Sequence, residues 1–209
     1  MKASIRSIFD ELYTRYPALS ACRADIEGAA QMMIDCFRAG GKLLTCGNGG
    51  SASDAEHIVG ELMKAFVLPR KLSKEMCDKL GDEYLSSNLQ GALPAVSMIG
   101  ESALSTAYAN DCAPDLAFAQ QVLGLGREGD MLLGISTSGN SENVIRAMQA
   151  AHQLGLKTIG MTGAKGGRLR EIADVCICVP ETETMLIQEL HLPVYHALCA
   201  ALEEQFFGS

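Results

Sequence analysis

Two short stretches gather hydrogen-bond donors at places suited to an anion. Cys46-Gly47-Asn48-Gly49-Gly50-Ser51-Ala52-Ser53 passes from an apolar run straight into a helix-like one. Its glycines permit close backbone approach and positive φ, and the helix start presents free N–H groups. Ser136-Thr137-Ser138-Gly139-Asn140-Ser141 repeats the arrangement, its hydroxyls and amides making a neutral phosphate cradle with no Lys or Arg of its own. Either loop alone reads equally as a tight turn with a Ser N-cap. Two of them, on neighbouring strands, point to a phosphorylated ligand. Neither has the Gly-Lys-Ser/Thr of a Walker loop or a dinucleotide GxGxxG.

Acid–base candidates follow. His57 and Glu61 are four residues apart on the helix that leaves the first loop, so they share a face. Near the C-terminus, Gln188 and His196 are eight apart, about 80° around an ideal helix. They can face one cleft, although Pro193 is expected to kink the helix between them. His191, alone in an apolar helix, reads as an interface or capping group.

The elements that must position these residues are written as alternation. Residues 42–46, 95–99, 131–135, 158–161 and 175–179 are short apolar or β-branched runs, which read as buried parallel strands. Helix-like stretches over 26–39, 52–66, 142–154 and 167–172 separate them. Such alternation implies right-handed βαβ units in a doubly wound α/β sheet. Helices over 5–16 and 26–39 lead in, and one over about 185–206 closes the chain; helices this apolar are expected to pack on another subunit. One segment, 67–94, exceeds a minimal connection and is expected to hold an extra helix over 72–80 and then loop.

Composition narrows the class. A chain of 209 residues with a net charge of −8 has no basic stripe for a phosphate backbone, so no nucleic-acid partner is expected. The short basic runs at 64–74 and 165–170 read as solvated surface. No apolar run reaches the roughly 18 residues of a membrane span, and residues 1–10 are polar and mixed in charge, unlike a signal peptide. A cytoplasmic protein without a membrane partner is expected. The eight cysteines form no CxxC pair and several lie in apolar runs, so reduced, mostly buried thiols are expected.

Taken together, Cys46-Gly47-Asn48-Gly49-Gly50-Ser51, Ile135-Ser136-Thr137-Ser138-Gly139-Asn140-Ser141 and Ile187-Gln188-Glu189-Leu190-His191 resemble the sugar isomerase (SIS) superfamily. Within it the chain is most similar to the phosphoheptose isomerases of bacterial heptose synthesis, over nearly its whole length apart from 67–94. The resemblance implies one SIS domain over 1–209, a five-stranded flavodoxin-like parallel sheet in three layers, a homotetramer, and active sites shared between subunits. It assigns substrate binding to Asn48, Gly49, Gly50, Ser51, Asn110, Asp111, Ser136, Thr137, Ser138, Ser141 and Gln188. It makes Glu61 and His196 the catalytic pair, and His57, Glu61, Gln188 and His196 the ligands of Zn²⁺ in members that carry it. The implied reaction is isomerisation of sedoheptulose 7-phosphate to D-glycero-D-manno-heptose 7-phosphate through a cis-enediolate.

Two departures bear on the sugar. One is the segment 67–94; the other is Met185-Leu186-Ile187, where well-known phosphoheptose isomerases carry an acidic residue and an arginine. An isomerase for another ketose phosphate is therefore a rival expectation. A second rival is a non-catalytic sugar-phosphate sensor or replication-initiator-binding adaptor. The adaptor branch tends to lack the glutamate present here as Glu61.

Overall fold

The computed structural model describes residues 2–208. The chain begins with α1 (Ala3–Arg15), a 3-10 turn (Pro17–Cys22) and α2 (Arg23–Arg38). β1 (Leu43–Gly47), α3 (Gly50–Met63), α4 (Lys74–Leu80), α5 (Glu83–Asn88) and β2 (Ala95–Ser97) follow. Then come α6 (Ser102–Asp111), a 3-10 turn (Pro114–Leu116), α7 (Ala117–Leu125), β3 (Met131–Ile135) and α8 (Glu142–Gln153). β4 (Lys157–Thr162), α9 (Gly167–Ile172), β5 (Val175–Cys178) and α10 (Thr184–Phe207) complete it.

All five expected strands pair in parallel, in the order β2-β1-β3-β4-β5. The central strands β1, β3 and β4 are almost wholly buried because both faces of the sheet are covered, while the edge strands β2 and β5 are partly exposed. Leu43, Met131, Leu133, Ile135, Ile159 and Ile177 pack into the layer holding α1, α2, α3 and α10. The alternate residues Leu44, Cys46 and Leu132 pack against α7, α8 and α9. Two cores on opposite faces of one sheet make the three-layer sandwich.

The departures from pattern have local causes. α3 ends at Met63, before the expected residue 66, because the next N–H groups of Phe66, Val67 and Leu68 donate to the Glu203 carboxylate instead. The segment 67–94 holds two helices, not one. Ser73 Oγ caps α4, Gly81 stops it at φ 63°, and Asp82 Oδ1 caps α5 at once. α10 continues through Pro193, whose missing N–H is tolerated in a helix buried over eleven of its positions. The basic run 64–74 is not uniformly solvated: Arg70 is 1% exposed. All eight cysteines are free thiols; four are buried, three partly so, and Cys112 is exposed. Among the described residues no helix is long and apolar enough to cross a membrane.

Candidate active site

β1 has β2 on one side and β3 on the other, so strand order reverses between the carboxyl ends of β1 and β3, where open α/β sheets bind ligands. Register pairs Gly47 with Ile135, which brings the two donor-rich loops side by side. In the first, Gly49 sits at φ 58°, a left-handed conformation that suits glycine, and turns the chain into α3. Gly47 is required by contact: a Cβ there would lie 2.5 Å from the carbonyl oxygen of Ser51. Asn48, Gly49 and Gly50 are exposed, and Ser51 is buried behind them.

The second loop is tied internally. Ser136 Oγ and Ser141 Oγ are 2.9 Å apart, and Asn140 N donates to Ser138 Oγ at 3.2 Å. Behind it, Gly163 N donates to the Thr137 carbonyl at 3.2 Å. The cradle is neutral but has a cation at its back. Arg168 N donates to Asn140 Oδ1, while its guanidinium donates to Glu142 Oε2 at 2.5 Å in the first turn of α8. The loops are joined by reciprocal bonds of 2.9 Å between the side-chain amides of Asn48 and Asn143. The sequence carries no motif that picks out Asn143; its partner lies 95 residues away.

Glu61 and His196 meet through His57. His57 Nε2 is 3.2 Å from Glu61 Oε1, and the His57 and His196 ring centroids are 5.1 Å apart. Lys64 Nζ occupies the other Glu61 oxygen at 3.1 Å. Beneath, His57 Nδ1 lies 2.9 Å from Tyr195 Oη, and Tyr195 donates to Asp54 Oδ1 at 3.3 Å. Burial, then the adjacent His57, holds the His196 pKa below its ordinary value despite the opposing pull of Glu61. Burial raises the pKa of Asp54. Burial, then Asp54, raises that of Tyr195.

The remaining candidates are dispersed. Gln188 packs on the start of α3, where a Cβ on Gly50 would come within 2.5 Å of its Nε2. It therefore stands with the loops, about two helical turns from His57. Asn110 and Asp111 end α6 on the surface, with Asn110 Nδ2 donating to Asp111 Oδ1 at 2.8 Å. His191 is buried, faces the Thr162 carbonyl at 3.4 Å, and has its pKa lowered by burial to about 4.

Known proteins match the chain in sequence and in fold. A SIS-domain family model matches residues 16–90 and 90–163. The chain belongs to the SIS-domain family. It is 35% identical over 208 residues to the phosphoheptose isomerase of Akkermansia muciniphila, covering 100% of each chain. It is 42% identical over 182 residues to that of Roseiflexus sp., covering 87% of this chain and 82% of the relative. Among solved structures, phosphoheptose isomerase GmhA from Neisseria gonorrhoeae matches with a TM-score of 0.75 at 35% identity, covering 96% of this chain and 97% of that one. A phosphoheptose isomerase from Francisella tularensis gives 0.77 at 33% identity, with coverage of 98% and 100%. The full-length match to the Akkermansia protein takes in 67–94, so that segment does not fall outside the resemblance as the motifs alone suggest.

The zinc donors expected of a SIS-family isomerase are only partly assembled in one chain. His57, Glu61 and His196 adjoin, and His196 Nε2 is buried without a hydrogen-bond partner, as suits a ligand awaiting a cation. Gln188 is elsewhere. Among the described residues no three His, Cys, Asp or Glu side chains are gathered as a metal-holding group.

Proposed function

We propose that this protein is an aldose–ketose isomerase that converts sedoheptulose 7-phosphate to D-glycero-D-manno-heptose 7-phosphate. The observation that carries the reading is a carboxylate and an imidazole, Glu61 and His196, brought to either side of His57 on α3 and α10, with α3 leading out of the first donor-rich loop. The loops bind the phosphate through N–H groups and hydroxyls. Glu61, released from Lys64, takes the proton from the carbon beside the carbonyl and returns it to the neighbouring carbon. His196 moves the proton between the two oxygens of the cis-enediolate. A base and a shuttle suffice, since isomerisation exchanges protons without net oxidation.

Length argues that two copies share each site. Gly50 and Glu61 are eleven residues apart on α3, about 16 Å along the axis. From its carbonyl end to its phosphate, an extended heptose phosphate spans only roughly 10 Å, at about 1.5 Å per bond. In this reading the loops of one copy serve the Glu61 and His196 of another, within a homotetramer in the cytoplasm. Val67 at 66% and Leu192 at 41% exposure, beside a groove of about 710 Å³ that His196 lines, are apolar surface for such a partner. His57, Glu61, Gln188 and His196 are the residues that would hold zinc. A zinc ion there would polarise the carbonyl and stabilise enediolate charge.

The test is incubation with sedoheptulose 7-phosphate, with and without zinc, read by NMR of the product. The wild type is expected to form the aldose, and Glu61→Gln to keep its melting temperature and lose turnover. Tight sugar-phosphate binding without conversion under either condition would replace this reading with a sensor or adaptor.

A further inference from the structure

Arg70 and Glu203 form an ion pair whose side chains are both 0% exposed. Arg70 Nε donates to Glu203 Oε1 at 2.7 Å, which spends one of five guanidinium donors. Nη1 donates to the carbonyl of Leu62 at 2.5 Å and Nη2 to the carbonyl of Glu61 at 2.7 Å. These are terminal carbonyls of α3, which have no partner within the helix. The Glu203 carboxylate in turn accepts from the backbone N–H groups of Phe66, Val67 and Leu68 at 2.7 to 2.8 Å. The Phe66 ring lies 5.4 Å from that of His196. The pair thus touches the backbone of one acid–base residue and the packing partner of the other.

The same pair fastens the base of the long segment. The Arg70 carbonyl accepts from Gly91 N at 2.7 Å, and Ala65 N donates to Gln90 Oε1 at 2.8 Å, so entry and exit are held together. The Arg70 guanidinium also lies 4.9 Å from the Phe207 ring centroid near the end of α10. A buried ion pair contributes little net stability compared with apolar residues of similar volume, because desolvation offsets the attraction. Its hydrogen bonds therefore point to a task beyond holding the fold.

We propose that Arg70 and Glu203 are positioning residues for the isomerisation: the pair sets Glu61 through its carbonyl and His196 through Phe66. This rests on the reading of Glu61 and His196 as the acid–base pair. Arg70→Lys keeps the charge against Glu203 but cannot reach both carbonyls with a planar fork. It is expected to melt several degrees below the wild type but stay folded, to lower kcat about tenfold or more, and to change KM by less than about threefold. Arg70→Met with Glu203→Met removes the charges together but leaves the N–H groups of Phe66, Val67 and Leu68 and the Glu61 carbonyl without these partners, so it should melt lower and, in its folded fraction, show the same split. A readout independent of turnover is the His196 ring-proton resonance, shifted by the Phe66 ring. In both variants it should move while that of His152 stays, an assignment eased by the chain having four histidines. Wild-type kcat and an unmoved His196 resonance in a folded variant would overturn the proposal. An inactive wild type would instead overturn the isomerase reading, while the resonance would still report the coupling.

Discussion

Hydrogen bonds at a few atoms tie Asp54 to the surroundings of Glu61. Tyr195 has one hydroxyl proton, and it is committed to Asp54 Oδ1. His57 Nδ1 lies 2.9 Å from the Tyr195 hydroxyl oxygen, and His57 Nε2 lies 3.2 Å from Glu61 Oε1. The Tyr195 hydroxyl thus links Asp54 to the imidazole that adjoins Glu61. Asp54 depends on the same hydroxyl, for its Oδ2 is buried without a partner. Tyr195→Phe should thus strand a buried carboxyl and cost about 1–3 kcal/mol. A calorimetric melt would read this as a fall of several degrees. Adding Asp54→Asn should recover part of the loss, because an amide carries no charge to desolvate. A double variant no more stable than Tyr195→Phe would show that the hydroxyl acts elsewhere.

Two glycines in one loop separate folding from binding at the level of elements. A methyl at Gly47 meets the Ser51 backbone oxygen at 2.5 Å, where β1 turns into α3 and nothing can yield cheaply. A methyl at Gly50 meets the far end of Gln188. Gly47→Ala should therefore cost about 1–3 kcal/mol in a urea melt. Gly50→Ala should melt near the wild type, yet raise KM by displacing Gln188 from the loops. Equal stability losses for the two would refute this division. The loops and strands were legible because their signals are local: five mainly apolar runs, each short enough for a strand. α6 was not, since none of its residues is buried and no apolar period marks it. Arg70 read as surface for another reason: the partner that makes its burial tolerable is 133 residues away. Asn143 is hidden likewise. The site residues the pattern missed are polar and depend on long-range partners, whereas α7 went unmarked although it is local and buries Phe118 and Val122.

At the scale of the whole molecule, the question is whether one chain contains a complete site. α3 and α10 run in the same direction, with Gly50 against Gln188 at one end and Phe66 against Glu203 at the other. Gly50, where the first loop enters α3, and Glu61 lie eleven residues apart, about 16 Å along the helix axis, and the proposed sharing of each site between copies rests on that separation. Closed symmetry solves this when the loop end of one copy meets the acid–base end of the next. Complementation reads it directly. Ser136→Ala weakens the cradle, and Glu61→Gln removes the base; each homogeneous variant should be nearly inactive. When the two chains are unfolded together and refolded as mixed oligomers, random pairing gives roughly a quarter of sites both an intact cradle and an intact base. Activity should rise toward that fraction of wild type, and only in the mixture. If each chain carries its own complete site, every site in the mixture holds one defect, and no activity returns at any mixing ratio.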